Sequence, residues 1–313
     1  MENKKCWFAL KSSVYVELKE ANHAVRYEHW KIFLYILIFF LTWNKVLAQS
    51  TPIVFPIDRN RFETRTIDSG TVRIYYALNA VDMKDAKTYD DLHRLDIGSL
   101  FSKYYSYFNF ANDSLKDDFM KKNPNAQSTP TWPGERGKIT NWSILNWSDF
   151  LKDFTDNTLT EYANMPHLMP NHQYTEKMPV QNWQLHNESI TVAGHLCRKA
   201  TCRFRGRDFV AWYTPDIPVS NGPWKFGGLP GLIMKVYDTD NLYVFECISV
   251  ETSARKFPII LFDEKRYQPI EQAELRALDK SIYADFFTVG GWTAQDGTPL
   301  KSTPIPYHPL ELE

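Results

Sequence analysis

The sequence predicts a mainly β fold with some α: a curved antiparallel sheet, with a half-barrel as one form of it, and a C-terminal helix packed against it. Three observations lead there. Aromatic residues make up 15% of the 313, with 10 Trp, 17 Tyr and 20 Phe, too many for a disordered chain. The 18 Pro and 13 Gly interrupt the chain too often for a coiled coil. Runs of β-branched and aromatic residues recur between turn-forming clusters, and one segment near the end has helical spacing instead.

Residues 1–30 are a prelude of mixed charge, longer than an ordinary signal-peptide n-region and consistent with a start assigned too early. Residues 31–48 read as a signal peptide. The apolar stretch Ile32 to Trp43 is well short of the roughly 20 residues that a spanning helix needs. It is followed by Val46-Leu47-Ala48, which places cleavage before Gln49. An uncleaved membrane anchor is the alternative. Cleavage removes seven basic and four acidic side chains, leaving 29 against 33, so the net charge of −1 becomes −4. No global basic field would draw such a chain to nucleic acid or an anionic membrane.

Residues 49–69, with Pro52 and Pro56, form an extended lead-in, and a single β-rich domain spans 70–297. Thr71 to Leu78 is rich in β-branched and aromatic residues and reads as a strand. Leu100 to Phe110 is a second aromatic run, and Ser114 to Lys122, acidic early and basic late, reads as a short surface helix. Residues 123–137 collect Pro, Gly, Asn and Ser and read as a loop. Trp147, Phe150, Leu151 and Phe154 lie close to helical spacing, so 147–162 reads as helix or irregular. Residues 183–194, 196–204 and 209–214 read as a meander whose last two strands form a hairpin at Arg205-Gly206-Arg207. Residues 232–237 and 242–250 form a second, largely buried hairpin around Asp238 to Asn241. Ile270, Leu275, Leu278, Ile282 and Phe286 mark a helix over 269–286. The Pro-rich tail, 298–313, crosses the surface in extended form.

After cleavage three cysteines remain, Cys197, Cys202 and Cys247, so at most one internal bridge can form. Five strand steps put Cys197 and Cys202 about 16 Å apart on opposite faces. Cys247 is the better partner for either, and three buried thiols are the alternative.

Between the hairpins stand Tyr213-Thr-Pro-Asp-Ile-Pro218 and Asn221-Gly-Pro-Trp-Lys-Phe-Gly-Gly-Leu-Pro-Gly-Leu-Ile233. This stretch resembles the GLPGLI family of exported Bacteroidetes proteins of unknown function, whose motif stands here at Gly228, Leu229, Pro230, Gly231, Leu232 and Ile233. Cys197 to Ala200, Phe204 to Arg207 and Trp212 to Thr214 are similar to the same pattern, as are Leu95 to Gly98, Ser102 to Ser106 and the tail Pro306 to Leu312. The tail has His308 where the family more often has Asn. The resemblance covers roughly residues 70–313 and implies a periplasmic or cell-surface location, with no activity to carry over. The motif itself holds no nucleophile, acid or metal ligand and lacks both phosphate-binding glycine spacings. Its glycines and Pro230 suit a tight crossing that inserts Leu229, Leu232 and Ile233 into the core.

Four other features could carry chemistry. Met165, His167, Met169 and His172, with Met178 and His186 downstream, offer thioether and imidazole ligands of the kind that select copper outside the cell. Arg198, Lys199, Arg203, Arg205 and Arg207 cluster within ten residues, and the odd positions 199, 203, 205 and 207 could share one strand face that contacts an anion or headgroup, tempered by Asp208 and Asp216, or that is ordinarily solvated. Cys197 and His195, two apart on a strand and about 6.5 Å from each other, could form a hydrolytic dyad. Asp238 and Asp240 are better suited to setting a turn than to holding calcium.

A curved sheet would gather Trp183, Trp212, Tyr213, Trp224 and Phe226 near a concave face. The expected function is therefore a non-catalytic envelope module that binds an apolar ligand, a lipid-modified chain or an outer-membrane protein, with no cofactor. Copper handling and a Cys-dependent hydrolase are the alternatives.

Overall fold

The computed structural model describes residues 64–126, 148–166, 169–262 and 264–313. The prelude, the signal peptide, the cleavage position and most of the 123–137 loop lie outside these residues. Among those described, no helix is long and apolar enough to cross a membrane.

The sheet begins with β1 (Thr64–Leu78), six residues before the expected domain start at Gly70. It continues through β2 (Asp91–Gly98) and β3 (Phe101–Ser106). The aromatic run from Leu100 then divides, because the Ser106 hydroxyl accepts the Asn109 N–H and caps α1 (Tyr107–Lys122). That helix starts seven residues earlier than its charge pattern indicates.

Where helical or irregular structure is expected, the chain instead forms β4 (Ser148–Asp153) and β5 (Thr158–Ala163), paired antiparallel. The reason is burial on both faces. Phe150 packs into one hydrophobic cluster and its neighbour Leu151 into another, so the apolar residues do not alternate. The turn is made by Asp153, whose carboxylate accepts the N–H groups of Thr155 and Asp156.

Next come β6 (Asn171–Lys177), β7 (Gln184–Val192), β8 (His195–Phe204) and β9 (Arg207–Thr214). The last three form the expected meander. The β8–β9 turn has φ of 49° at Arg205 and 77° at Gly206, the two positive values that a two-residue hairpin of matching twist requires. The second hairpin is β10 (Leu232–Asp238) with β11 (Val244–Phe262), whose long second half runs back along β1. After β12 (Tyr267–Pro269) come α2 (Gln272–Ala284) and α3 (Phe286–Val289). Pro269 therefore ends a strand instead of opening the helix.

Among the described residues, twelve strands join one open, curved sheet in the order β12-β6-β5-β4-β3-β2-β1-β11-β10-β9-β8-β7. Every pairing is antiparallel except β12 with β6. One face carries the main core, built from residues such as Ile74, Tyr76, Leu95, Tyr104, Phe209 and Ile233. On the opposite face, the Arg94 guanidinium lies over the rings of Tyr105, Tyr107 and Phe110, which joins α1 to the sheet. Leu275 of α2 docks on Ala163 and Tyr174, as a C-terminal helix packed on the sheet should.

Candidate functional site

The GLPGLI segment acts as a crossing. Gly228 and Gly231 have φ of 78° and 141°. A Cβ on Gly231 would stand 2.1 Å from the Thr214 carbonyl oxygen, so only glycine fits there. Leu229, Leu232 and Ile233 are buried, and the Tyr76 hydroxyl donates to the Ile233 carbonyl.

Just before the motif, two features position charge. Trp224 adopts φ 51°, a strained value for a bulky residue, and the next residue, Lys225, turns wholly inward. The Lys225 ammonium donates to the Tyr174 hydroxyl at 2.6 Å and lies 2.5 Å from Glu311, 2.9 Å from Glu176 and 3.7 Å from Glu161. Arg276 of α2 reaches the same group, at 2.5 Å from Glu161 and 3.4 Å from Glu311. Arg205, from the hairpin turn, pairs with Glu176. Burial pushes the Glu161 carboxyl up, but Arg276 and Lys225 overcome this and hold it below the usual carboxylate range. Burial raises Asp279, beside Arg276, to about 6. β5, β6, α2, the crossing and the tail are thus joined through one buried charge network.

An open cleft of about 580 Å³ adjoins this network. Thr160, Tyr162, Gln173, Thr175, Glu271 and Gln272 contribute to its wall, and Tyr174 and Glu176 belong to both cleft and network. The lining is mostly hydroxyl, amide and carboxylate from β5, β6 and the start of α2, with Glu264, Pro269 of β12 and Ile270 completing it.

Two further polar groups are sealed inside. The Lys152 ammonium donates to Asn221 Oδ1 at 2.8 Å and to the Phe226 carbonyl at 2.5 Å, with no carboxylate paired to it among the described residues, and burial lowers its pKa to about 7. Elsewhere the Tyr104 hydroxyl meets His93 Nδ1 at 2.5 Å, and Ser106 donates to Asp91. All four of those residues are buried, and their hydrogen bonds order the core.

The five aromatic residues expected near a concave face are brought together, but by packing. Trp212, Tyr213, Trp224 and Phe226 are buried in the main core and Trp183 packs against it. Trp224 and Phe226 lie 5.1 Å apart, edge to face. Of the Met/His set, His167 lies outside the described residues. Met165 packs beside Ala163 and Tyr174, His172 is on β6, and Met169 lies near Gly290. Cys197, Cys202 and Cys247 are all free and buried. Burial pushes the Cys197 thiol up to about 11, and its Sγ points to the His195 carbonyl instead of a base. The basic stripe is largely paired: Lys199 with Glu188, Arg203 with Asp208, and Arg207 with Asp238. Asp238 also accepts the Tyr243 N–H and so sets its turn.

Lys225 and Glu161 are what the sequence reading missed. The available signal was a lone charge inside an apolar run, Trp-Lys-Phe in one case and Leu-Thr-Glu-Tyr-Ala in the other.

Residues 204–235 match the family Porph_ging, described as a protein of unknown function. The matched stretch contains Arg205, Arg207, Lys225 and the GLPGLI motif, under that description and not the GLPGLI name. No curated protein matches the chain. Among solved structures, the chain is similar to PNGF-II in space group P21, with a TM-score of 0.42 and 15% identity over 67% of this chain and 33% of that one. For the C2 form the values are 0.42, 15%, 66% and 32%. The chain therefore spans about a third of the length of these solved chains.

Proposed function

We propose that the chain is an exported, non-catalytic binding module of the bacterial cell envelope, whose ligand seat is the cleft at β5, β6, β12 and the start of α2. Export is supported by the apolar stretch and the cleavage pattern before Gln49. The observation that carries the binding reading is the cleft itself, of about 580 Å³, lined by convergent polar side chains on regular elements.

The lining favours a polar ligand over the apolar one expected from composition. Glu176 is paired with Lys225 and Arg205, Glu264 with Arg65 in an exposed pair, and Glu271 adds a third carboxylate, while the mutually bonded Thr160 and Thr175 hydroxyls, Gln173 and the Tyr162 ring offer neutral contacts. A neutral, hydroxyl-rich molecule such as a short glycan segment matches that set. Isothermal titration of the full chain with neutral oligosaccharides and with polyamines tests this. Oligosaccharide binding that weakens in Gln173→Ala supports it. Heat only with polyamines, or with neither panel, overturns it.

A further inference from the structure

The last residues of the chain are held as a groove holds a peptide. The Tyr243 hydroxyl donates to the His308 carbonyl, and Arg207 donates through Nε and Nη2 to the Pro309 carbonyl at 3.0 and 2.6 Å. Leu310 packs against the main core. The Glu311 carboxylate meets Lys225 at 2.5 Å, Gln272 at 2.5 Å, Arg276 at 3.4 Å and Arg205 at 3.8 Å. The Leu312 N–H donates to the Arg205 carbonyl at 2.9 Å, and the chain then passes so close to Gly206 that a Cβ there would stand 2.7 Å from Leu312 Cβ.

Every receptor group in this set lies outside the tail. The tail forms no helix or strand of its own, and Pro304, Pro306 and Pro309 lower the entropy lost when it docks. Main-chain carbonyls are gripped without regard to side chain, one leucine packs partly buried against the core, and one carboxylate is read by cations from three separate parts of the chain. Together these make a recognition pattern for an extended acidic segment.

We propose that this groove is a docking site for extended acidic peptides with a Leu-Glu core, supplied by a partner protein, which the chain's own tail fills in cis. The tether gives the tail an effective concentration in the millimolar range, so a partner segment binds by displacing it. The proposal does not rest on the cleft's ligand, although the groove and the cleft share Gln272.

The test uses the full-length protein and a fluorescent peptide of residues 306–313. Wild type should bind it weakly. Glu311→Gln loosens the cis tail and should bind the same peptide about tenfold tighter, while a peptide with Gln in place of the glutamate at 311 should bind neither protein. A gain of affinity on losing a salt bridge is not what a purely structural contact gives. Equal or weaker binding by Glu311→Gln overturns the proposal. Should that variant fail to fold, Leu312→Pro removes the N–H to Arg205 without touching the buried charges, and the same gain is required of it. In wild type, the Leu312 amide should exchange about a hundredfold faster than that of Val236, and equal rates overturn the proposal.

Discussion

The Glu311 carboxylate lies 2.5 Å from the Lys225 ammonium, and neither side chain is open to solvent. One residue precedes the crossing motif and the other lies in the Pro-rich segment that follows α3, so this contact ties that segment to the centre of the sheet. Removing Lys225 leaves the buried Glu161 and Glu311 and the partly buried Glu176 with less compensation. Lys225→Met should therefore destabilise the protein by about 3–5 kcal/mol. Denaturant midpoints, with the slope unchanged, measure it.

The crossing gives a contrast between two glycines. At Gly231, φ is 141° and the Thr214 carbonyl blocks a side chain, whereas Gly194, at φ 83°, has open space around its Cβ position. Gly231→Ala should cost about 3 kcal/mol or more, and Gly194→Ala about 1 kcal/mol, from backbone strain alone. Thermal unfolding of the pair separates steric exclusion from conformational preference, and similar losses would sink the distinction.

Lys152 gives a pH dependence. Burial lowers its folded pKa to about 7 from an ordinary 10.5, so between these values the unfolded chain holds more protons than the folded one. The Lys152 contribution therefore rises as pH climbs from 7 toward 10.5. The thiols act oppositely above about pH 9, because burial raises Cys197 to about 11 and Cys202 and Cys247 to about 12. The clean window is pH 7 to 9. There, wild type should gain stability relative to Lys152→Met, and parallel stability curves for the two proteins would refute the assignment.

The same burial makes the thiols inert. Cys197, Cys202 and Cys247 should resist iodoacetamide at pH 8 in the folded protein and react fully on unfolding. Rapid native labelling of Cys197 would restore the hydrolase reading.

Much of the architecture is written locally. Arg205-Gly206 and Asp238 specify their turns through positive φ and side-chain acceptance of backbone N–H, and no distant residue is needed for either. The helix near the C-terminus is likewise visible from the spacing of Leu275 and its neighbours. β4 and β5 were not legible, because Phe150 and Leu151 are buried on opposite faces and so erase the alternation that marks a half-exposed strand.

The sequence by itself determined the β-rich class, the two hairpins and the inward leucines of the motif, since each depends on dihedral preference or on the period of apolar residues. Tertiary structure alone decided the chemistry. Whether Trp224 and Phe226 line a surface or fill a core depends on how far the sheet curls, which no local pattern encodes. That Lys225 meets Glu161, Glu176 and Glu311 depends on three segments converging from far along the chain. A charge is stable in a buried site only when its partners arrive there too, and that arrival is a property of the folded chain.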